Sequence, residues 1–204
     1  MVLEMQPSGL SASAPHRHHA VWHRRGFTLV EALIVLTVAA LLAGWAVPTL
    51  HGWVMQHRLA VTTNALVAAF HAARQSALQL QRRVVLCAAQ DGQCQRSVAA
   101  DWSKGWMVCL DDNRNGQCDD GEQVLLAAAA APAGVVLMAN SPLRKPVVFT
   151  PLGVAQQPGG AFSAGRVRLC AAQAIVHNAH DLILAKSGRI RLEDADFAGS
   201  CPPP

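Results

Sequence analysis

The segment between residues 111 and 122 is the part of the sequence best suited to cation chemistry. It reads D-D-N-R-N-G-Q-C-D-D-G-E and fits the calcium-loop pattern D-x-[DN]-x-[DN]-G-x5-E at every specified position. Oxygen atoms of four side chains could surround a hard cation, with Gly116 permitting the sharp turn; the four are Asp111, Asn113, Asn115 and Glu122. The flanking residues are strand-like, whereas an EF-hand needs helices. The alternative is therefore a hairpin loop in which Asn115 and Gly116 supply the positive φ.

Basic residues near the C-terminal end of the sequence are suited to binding phosphate. Residues 144–191 contain seven bases and one acid, whereas residues 101–122 contain six acids and two bases. In a strand, Arg189 and Arg191 would project from one face at roughly 6.6 Å separation, beside a turn at Gly188. Arginine binds phosphate in bidentate fashion without reading bases, so this pair is a candidate for contact with a DNA backbone. The supporting candidates are Lys186, Arg166 and Arg168. The alternative is an ordinary exposed strand that carries two arginines.

No combination of residues in the sequence is typical of an enzyme. There is no Ser/His/Asp or Cys/His arrangement with supporting context, and no Gly-rich phosphate loop followed by a helix. Four of the nine histidines lie within the first 26 residues, and we expect His177 and His180 to lie on the surface. The sequence therefore favours a structural or binding protein that has no cofactor apart from the calcium considered above.

An apolar segment at residues 27–50 explains much of the composition. Apolar residues make up 51% of the chain and charged residues only 15%, against about 25% charged in typical soluble domains, which argues against a disordered, coiled-coil or highly solvated protein. The segment contains one charge, Glu31, and would form roughly 36 Å of helix, enough to span a bilayer. Three arginines and one acid precede it. The positive-inside rule therefore predicts a cytoplasmic N-terminus and export of everything after residue 50.

The six cysteines all follow this segment, on the predicted exported side, where an oxidising periplasm favours disulfides. None forms a C-x-x-C pair, which disfavours a zinc or thioredoxin-like site. We predict the bonds Cys87–Cys94 and Cys109–Cys118, which would close hairpins, and the bond Cys170–Cys201, which would tie down the C-terminal tail.

The elements that must position these residues are a helix and a set of short strands. Apolar residues at helical spacing predict that the helix continues through residues 51–84; they are Leu59, Leu66, Phe70, Ala73, Ala77 and Leu80. Short β-like runs separated by turns then predict an antiparallel sheet domain packed on the helix. The runs are 84–87, 105–110, 123–126, 135–137, 147–149, 167–170, 182–184 and 189–192. Residues 127–132 and 151–165 are predicted loops.

Residues 24–31, Arg-Arg-Gly-Phe-Thr-Leu-Val-Glu, resemble the leader junction of type IV prepilins. An acid inside an apolar segment is costly and needs a partner. The resemblance implies cleavage by a prepilin peptidase between Gly26 and Phe27, N-methylation of the new Phe27 amine, and pairing of Glu31 with that amine in a neighbouring subunit. The expected organisation is a cytoplasmic leader (1–26), a transmembrane half-helix (27–50), a periplasmic half-helix (51–84) and a disulfide-containing β-sheet domain (85–204).

The C-terminal half resembles the GspH/FimT family of minor pilins and pseudopilins. The resemblance rests on residues 101–102, 105–106, 111–122, 149–153 and 187–191. It implies an α+β, type IV pilin-like fold and assembly with other pilins into a pilus-like filament. It also implies a single-pass protein of the bacterial inner membrane whose C-terminal domain is periplasmic until assembly.

A terminal G-R-x-R motif is associated with DNA binding in FimT-like minor pilins of naturally competent bacteria, and Gly188-Arg189-Ile190-Arg191 matches that motif. The same pattern also occurs at residues 165–168. The resemblance thus implies a minor pilin that binds double-stranded DNA without sequence preference, for uptake in natural transformation. The alternative is a minor pseudopilin H that acts in protein export by a type II secretion system.

Overall fold

A computed structural model of the protein describes residues 26–95 and 100–204, with the backbone alone over residues 45–49. The predicted leader therefore lies outside the described residues except for Gly26. The chain divides into two compact units, one ending at Ala43 and the other comprising Gly44–Pro204. Among the described residues, no helix combines the length and the hydropathy needed to cross a membrane. The assignment of residues 27–50 to a transmembrane half-helix stays a prediction.

The helix α1 comprises Leu29–Leu80 and ends before the predicted boundary at residue 84. Gln81 has a φ of 54°, outside the helical region, and its side-chain amide donates to the Leu78 carbonyl at 2.6 Å. Both features terminate the helix, because a residue in the left-handed conformation reverses the chain direction and a side-chain donor satisfies a terminal carbonyl. The predicted helix was four residues too long.

Ten strands follow the helix, and all their pairings are antiparallel. In chain order they are β1 (Val84–Gln90), β2 (Gln93–Cys94), β3 (Trp106–Leu110), β4 (Val124–Ala128), β5 (Val135–Ala139), β6 (Val147–Phe149), β7 (Ala155–Gln156), β8 (Gly165–Ala171), β9 (Ala179–Leu184) and β10 (Ile190–Ala195). One sheet has the order β4-β3-β1-β6-β7 with β2 paired to β1, and the other has the order β10-β9-β8-β5.

All eight predicted β-like runs coincide with strands. The strands β2 and β7 were not predicted, because they have two residues each, too few to show an alternating pattern. The predicted loop 151–165 therefore contains β7, and the predicted loop 127–132 begins with the last two residues of β4.

One face of α1 packs against both sheets to form the main core. Five of the six predicted stripe residues are buried, but Leu80 at the end of the helix is 49% exposed. The indole of Trp102 stacks on Phe70 with ring centroids 6.0 Å apart and donates from Nε1 to the Leu143 carbonyl at 2.9 Å. Phe149 meets Phe70 edge-to-face. Paired aromatic rings with a satisfied indole N–H stabilise a buried core.

Candidate functional site

The residues of the predicted cleavage junction are exposed at the start of α1. Phe27 is 80% exposed, and the Thr28 hydroxyl accepts from the backbone N–H of Glu31 at 3.2 Å. Thr28 and Glu31 match the capping-box pattern. The acid in the first turn also stabilises the helix through a favourable interaction with the helix dipole. Arg24 and Arg25 lie outside the described residues. The structure therefore gives Thr28 a role in starting the helix that the sequence analysis did not assign.

The structure contains the three disulfides that the sequence predicts, Cys87–Cys94, Cys109–Cys118 and Cys170–Cys201. The first two lie side by side, with the sulfur atoms of Cys87 and Cys118 4.0 Å apart. They cover the outer face of the first sheet, where a second small core has formed. Because every cysteine in this cluster is oxidised, none is available as the thiolate that a metal would need.

The four predicted calcium ligands lie in one loop, and their oxygen atoms accept hydrogen bonds within it. Asp111 accepts from the Gly116 N–H at 3.2 Å, and Glu122 accepts from the N–H groups of Asp112 and Asp119 at 2.9 and 3.0 Å. The amide oxygens of Asn113 and Asn115 each accept from the backbone two residues further on. These bonds describe a loop folded by its own side chains, with Gly116 at a φ of 74°.

A guanidinium group occupies the first position of the predicted calcium site. Arg83 Nε lies 2.8 Å from Asp111 Oδ2, and Asp111 is only 3% exposed. A cation at this position would have to displace Arg83 and leave it without its partner. The geometry thus favours the hairpin alternative, and calcium binding stays a prediction.

The predicted arginine pair lies at the start of β10, immediately after the β9–β10 turn. Both arginines are exposed, whereas the intervening Ile190 packs against the main core, so the two arginine side chains share the outer face of the sheet. With Ile183, Ala185 and Ile190 they line a depression of about 190 Å³. Among the described strands, β10 pairs with β9 alone. Arg191 is 64% exposed and pairs with Glu193 at 3.0 Å, an exposed contact of little strength. Both arginines are therefore available to a ligand in solution.

Gly188 allows the β9–β10 turn to lie against the helix. Its φ is 74°, and a Cβ atom would collide with the Gly153 carbonyl and meet Arg74 at 3.1 Å. Arg74 in turn donates from Nε to the Gly153 carbonyl at 3.1 Å. The glycine of the G-R-x-R motif is thus required by close packing of two turns on Arg74, a contact that the sequence does not reveal.

The two supporting arginines do not join this exposed pair in the same way. Arg168 is 6% exposed and donates from Nε and Nη2 to Asp181 at 2.8 and 2.9 Å, while Nη1 donates to the Pro202 carbonyl at 3.0 Å. Phe197 covers its guanidinium at 4.3 Å. Arg166 is half-buried and donates to the same carboxylate at 2.9 Å. Arg168 therefore has a structural role, and the charge of Arg166 is partly neutralised.

Lys186 lies beside an aromatic side chain that the sequence analysis did not select. Its Nζ atom is 5.8 Å from the ring centroid of Phe162, which is 62% exposed. The signal available in the sequence was a lone aromatic residue inside a loop rich in Gly and Pro. Asp181 was likewise visible as the one acid among residues 144–191, but its partners were not.

A helix followed by two antiparallel sheets that pack on its second half defines a type IV pilin-like protein, and the predicted α+β fold class is confirmed. Residues 62–188 match the family model described as type II transport protein GspH, and residues 23–47 match the prokaryotic N-terminal methylation motif. The chain belongs to the GspH family, and is a minor pilin or pseudopilin of the type IV pilus and type II secretion kind.

Two solved structures that resemble the chain are crystal forms of the type IV minor pilin FimU from Pseudomonas aeruginosa. The form in space group P21 superposes with a TM-score of 0.51 at 19% identity, covering 71% of this chain and 97% of FimU. The form in space group P65 gives a TM-score of 0.48 at 19% identity, covering 71% and 99%. At this identity the likeness shows the fold alone. No curated protein matches the chain in sequence.

Proposed function

We propose that this minor pilin binds DNA without sequence preference and acts in DNA uptake during natural transformation. The observation that carries the proposal is the exposed pair Arg189 and Arg191 on one face of the sheet, beside Lys186 in the same turn. Guanidinium groups on a common face can each contact a phosphate, and phosphate contacts give affinity but no sequence information. The pair Arg191–Glu193 is exposed, so a phosphate can replace Glu193 at little cost.

The charge distribution along β10 limits where DNA can lie. Arg189 immediately precedes the strand and Arg191 is its second residue, but the strand continues with Glu193 and Asp194, which are both exposed. A polyanion would be repelled from this acidic half and attracted to the turn. The proposed interface is therefore the turn end of the second sheet, with Lys186, Arg189 and Arg191 as its principal contacts and Arg166 as a weaker one.

The motif at the start of α1 supports a second part of the proposal, the maturation of the chain. We infer that a prepilin peptidase cleaves between Gly26 and Phe27, that the Phe27 amine is methylated, and that Glu31 pairs with that amine of a neighbouring pilin in the inner membrane. The match of residues 23–47 to the methylation motif supports this step, as does the exposure of Phe27. The expected orientation has a cytoplasmic N-terminus and a periplasmic sheet domain.

DNA binding is tested by removing the arginine pair from the full chain, purified in mild detergent. We expect Arg189→Ala with Arg191→Ala to weaken binding of labelled duplex DNA about tenfold or more in fluorescence anisotropy. The slope of log affinity against log salt should fall in magnitude by roughly 2, because two phosphate contacts are lost.

A matched control removes two other exposed arginines, Arg82 and Arg114, which line a separate pocket near the acidic loop. This control changes the net charge by the same amount. Equal weakening by the two double variants would mean that net charge alone governs binding, and unchanged affinity in the Arg189→Ala, Arg191→Ala variant would refute the proposal.

The alternative function is that of a pseudopilin in type II secretion, which the description of the matched family favours. Deletion of the gene distinguishes the two functions, since transformation frequency and secretion of folded proteins can be measured in the same strain. Loss of transformation with normal secretion supports DNA uptake. The reverse outcome assigns the protein to the secretion machinery.

A further inference from the structure

Phe162 is an exposed aromatic residue whose backbone is held in place. It lies in the loop between β7 and β8, where it forms a β-bridge with Gln156, and the next residue, Ser163, donates from its N–H to the Ala155 carbonyl at 3.0 Å. A tight turn closed by a bond from Gln157 N–H to the Ala161 carbonyl at 2.7 Å precedes it. The ring remains 62% exposed, so a rigid loop presents an aromatic face to solvent.

The short strand β7 connects this ring to the basic turn, residues 185–189, which joins β9 to β10 and contains Lys186 and Arg189. Ala155 in β7 donates from its N–H to the Lys186 carbonyl at 3.2 Å, on the turn that carries Arg189. The Lys186 ammonium group lies 5.8 Å from the Phe162 ring centroid. Ala155 thus binds the aromatic loop through its carbonyl and the basic turn through its N–H, which fixes the distance between ring and cations.

We propose that Phe162 and Lys186 form a stacking site for an unpaired nucleobase, so that the basic turn binds single-stranded DNA more tightly than duplex DNA. Proteins that bind single strands combine cationic side chains along the backbone with aromatic rings on which bases stack, and this tolerates any sequence because every base has a π face. In a duplex, neighbouring base pairs cover those faces. The inference rests on the proposed DNA binding and adds its preferred form of DNA.

The test compares labelled oligothymidylate with a duplex of the same length, each titrated with the full chain in mild detergent and followed by anisotropy. We expect Phe162→Ala to weaken binding of the single strand about fivefold or more, as loss of one stacked base predicts, and to change duplex binding less than about twofold. Phe162→Trp should retain the preference, because it keeps a π face.

Leu152 provides the matched control, because it is 81% exposed in the turn that Gly188 contacts but has no π face. Leu152→Ala should leave both affinities unchanged. Equal losses on the two forms of DNA in Phe162→Ala, or no loss on either, would overturn the stacking site. A Phe162→Ala variant that binds DNA normally but fails to assemble into filaments would also overturn it, since the ring would then pack against another pilin.

The outcomes separate this inference from the proposed function. If the Arg189→Ala, Arg191→Ala variant loses affinity while Phe162→Ala does not, DNA binding stands and the stacking site fails. If the arginine variant binds both forms of DNA normally, the proposed function itself fails.

Discussion

The pattern G-R-x-R occurs twice in this protein, and its two copies have opposite surroundings. Gly165–Arg168 begins β8, which has strands on both sides, whereas Gly188–Arg191 begins at a turn and enters β10 at the edge of the same sheet. Arg168 is 6% exposed, while the side chain of Arg191 is 64% exposed. The same four-residue pattern thus supplies a buried structural arginine in one place and a solvent-facing pair in the other.

The register of the strands explains this difference. Arg168, Asp181 and Glu193 lie in one row across β8, β9 and β10, and Arg166, Ile183 and Arg191 lie in the next. The central strand therefore offers its carboxylate to the arginines of β8 and an apolar side chain to Arg191. Whether an arginine of this motif is neutralised or free to bind a ligand depends on the neighbouring strand, because cross-strand neighbours are the closest side chains.

The largest loss of stability is expected from replacing Asp181, the acid that accepts hydrogen bonds from both arginines of Gly165–Arg168. We expect Asp181→Asn to destabilise the protein by about 3–5 kcal/mol, because it leaves the buried guanidinium of Arg168 without a counter-charge. The matched control is Glu193→Gln, which breaks the exposed pair with Arg191 and should cost about 0–1 kcal/mol. Denaturant unfolding of both variants measures the difference, and similar midpoints would show that the two copies do not differ as described.

A smaller effect is expected from the tail that covers the first copy. The bond Cys170–Cys201 joins residues 31 apart and holds the segment whose Pro202 carbonyl accepts from Arg168. Replacing both cysteines by alanine should cost about 2–4 kcal/mol, since the unfolded chain gains freedom. Residues 188–191 lie within the segment that this bond closes, but they are held by the pairing of β9 with β10 and by the contact of Gly188 with Gly153, so duplex DNA binding should persist. Lost DNA binding in a folded variant would place the interface at the tail instead.

The strands and the disulfides could be predicted from the sequence because their signals are local. Runs rich in Val, Ile and Leu between turn residues identified eight strands, and two of the disulfides join cysteines only 7 and 9 positions apart. The calcium pattern at residues 111–122 was also local, but Arg83, which contacts the first predicted ligand, Asp111, lies in the connection between α1 and β1. A sequence motif can therefore predict the conformation of its own loop, but it cannot predict which distant residues the fold places against that loop.

The roles of individual arginines could not be predicted, because they depend on strand register. Arg166 and Arg168 were expected to support DNA binding, yet Asp181 on the next strand accepts hydrogen bonds from both. The roles of Phe162 and Arg74 depend instead on tertiary contacts, since β7 and the Gly153 turn place these two residues beside the basic turn. Charge counts along the chain identify a region rich in bases but cannot separate buried from exposed bases.

The smallest loss of stability is expected from substituting Gly165 or Gly188, the first residues of the two G-R-x-R segments. Gly188 has a φ of 74° and lies against the backbone carbonyl of Gly153, whereas the atoms nearest a Cβ at Gly165 belong to the side chains of Asn140 and Leu143. An alanine at Gly165 would have to displace the Asn140 amide, which accepts from the Arg166 N–H at 3.0 Å, and the buried Leu143, but the Gly165 backbone is not in the left-handed region. An alanine at Gly188 would meet a backbone carbonyl and also be strained by its positive φ. We expect Gly188→Ala to cost about 1–3 kcal/mol through backbone strain and the close contact, and Gly165→Ala to cost less.

Thermal unfolding of the two alanine variants gives the comparison directly, and duplex titration shows whether displacing the turn also moves Arg189. Because the Gly188 turn is fixed on Arg74 through Gly153, Gly188→Ala should weaken DNA binding as well as stability, while Gly165→Ala should leave DNA binding unchanged. Arg74→Gln, which removes the bond to Gly153 without altering the turn itself, should weaken DNA binding in the same direction. Normal binding by both the Gly188→Ala and Arg74→Gln variants would mean that the second copy functions as a flexible basic segment, and that its glycine serves packing alone.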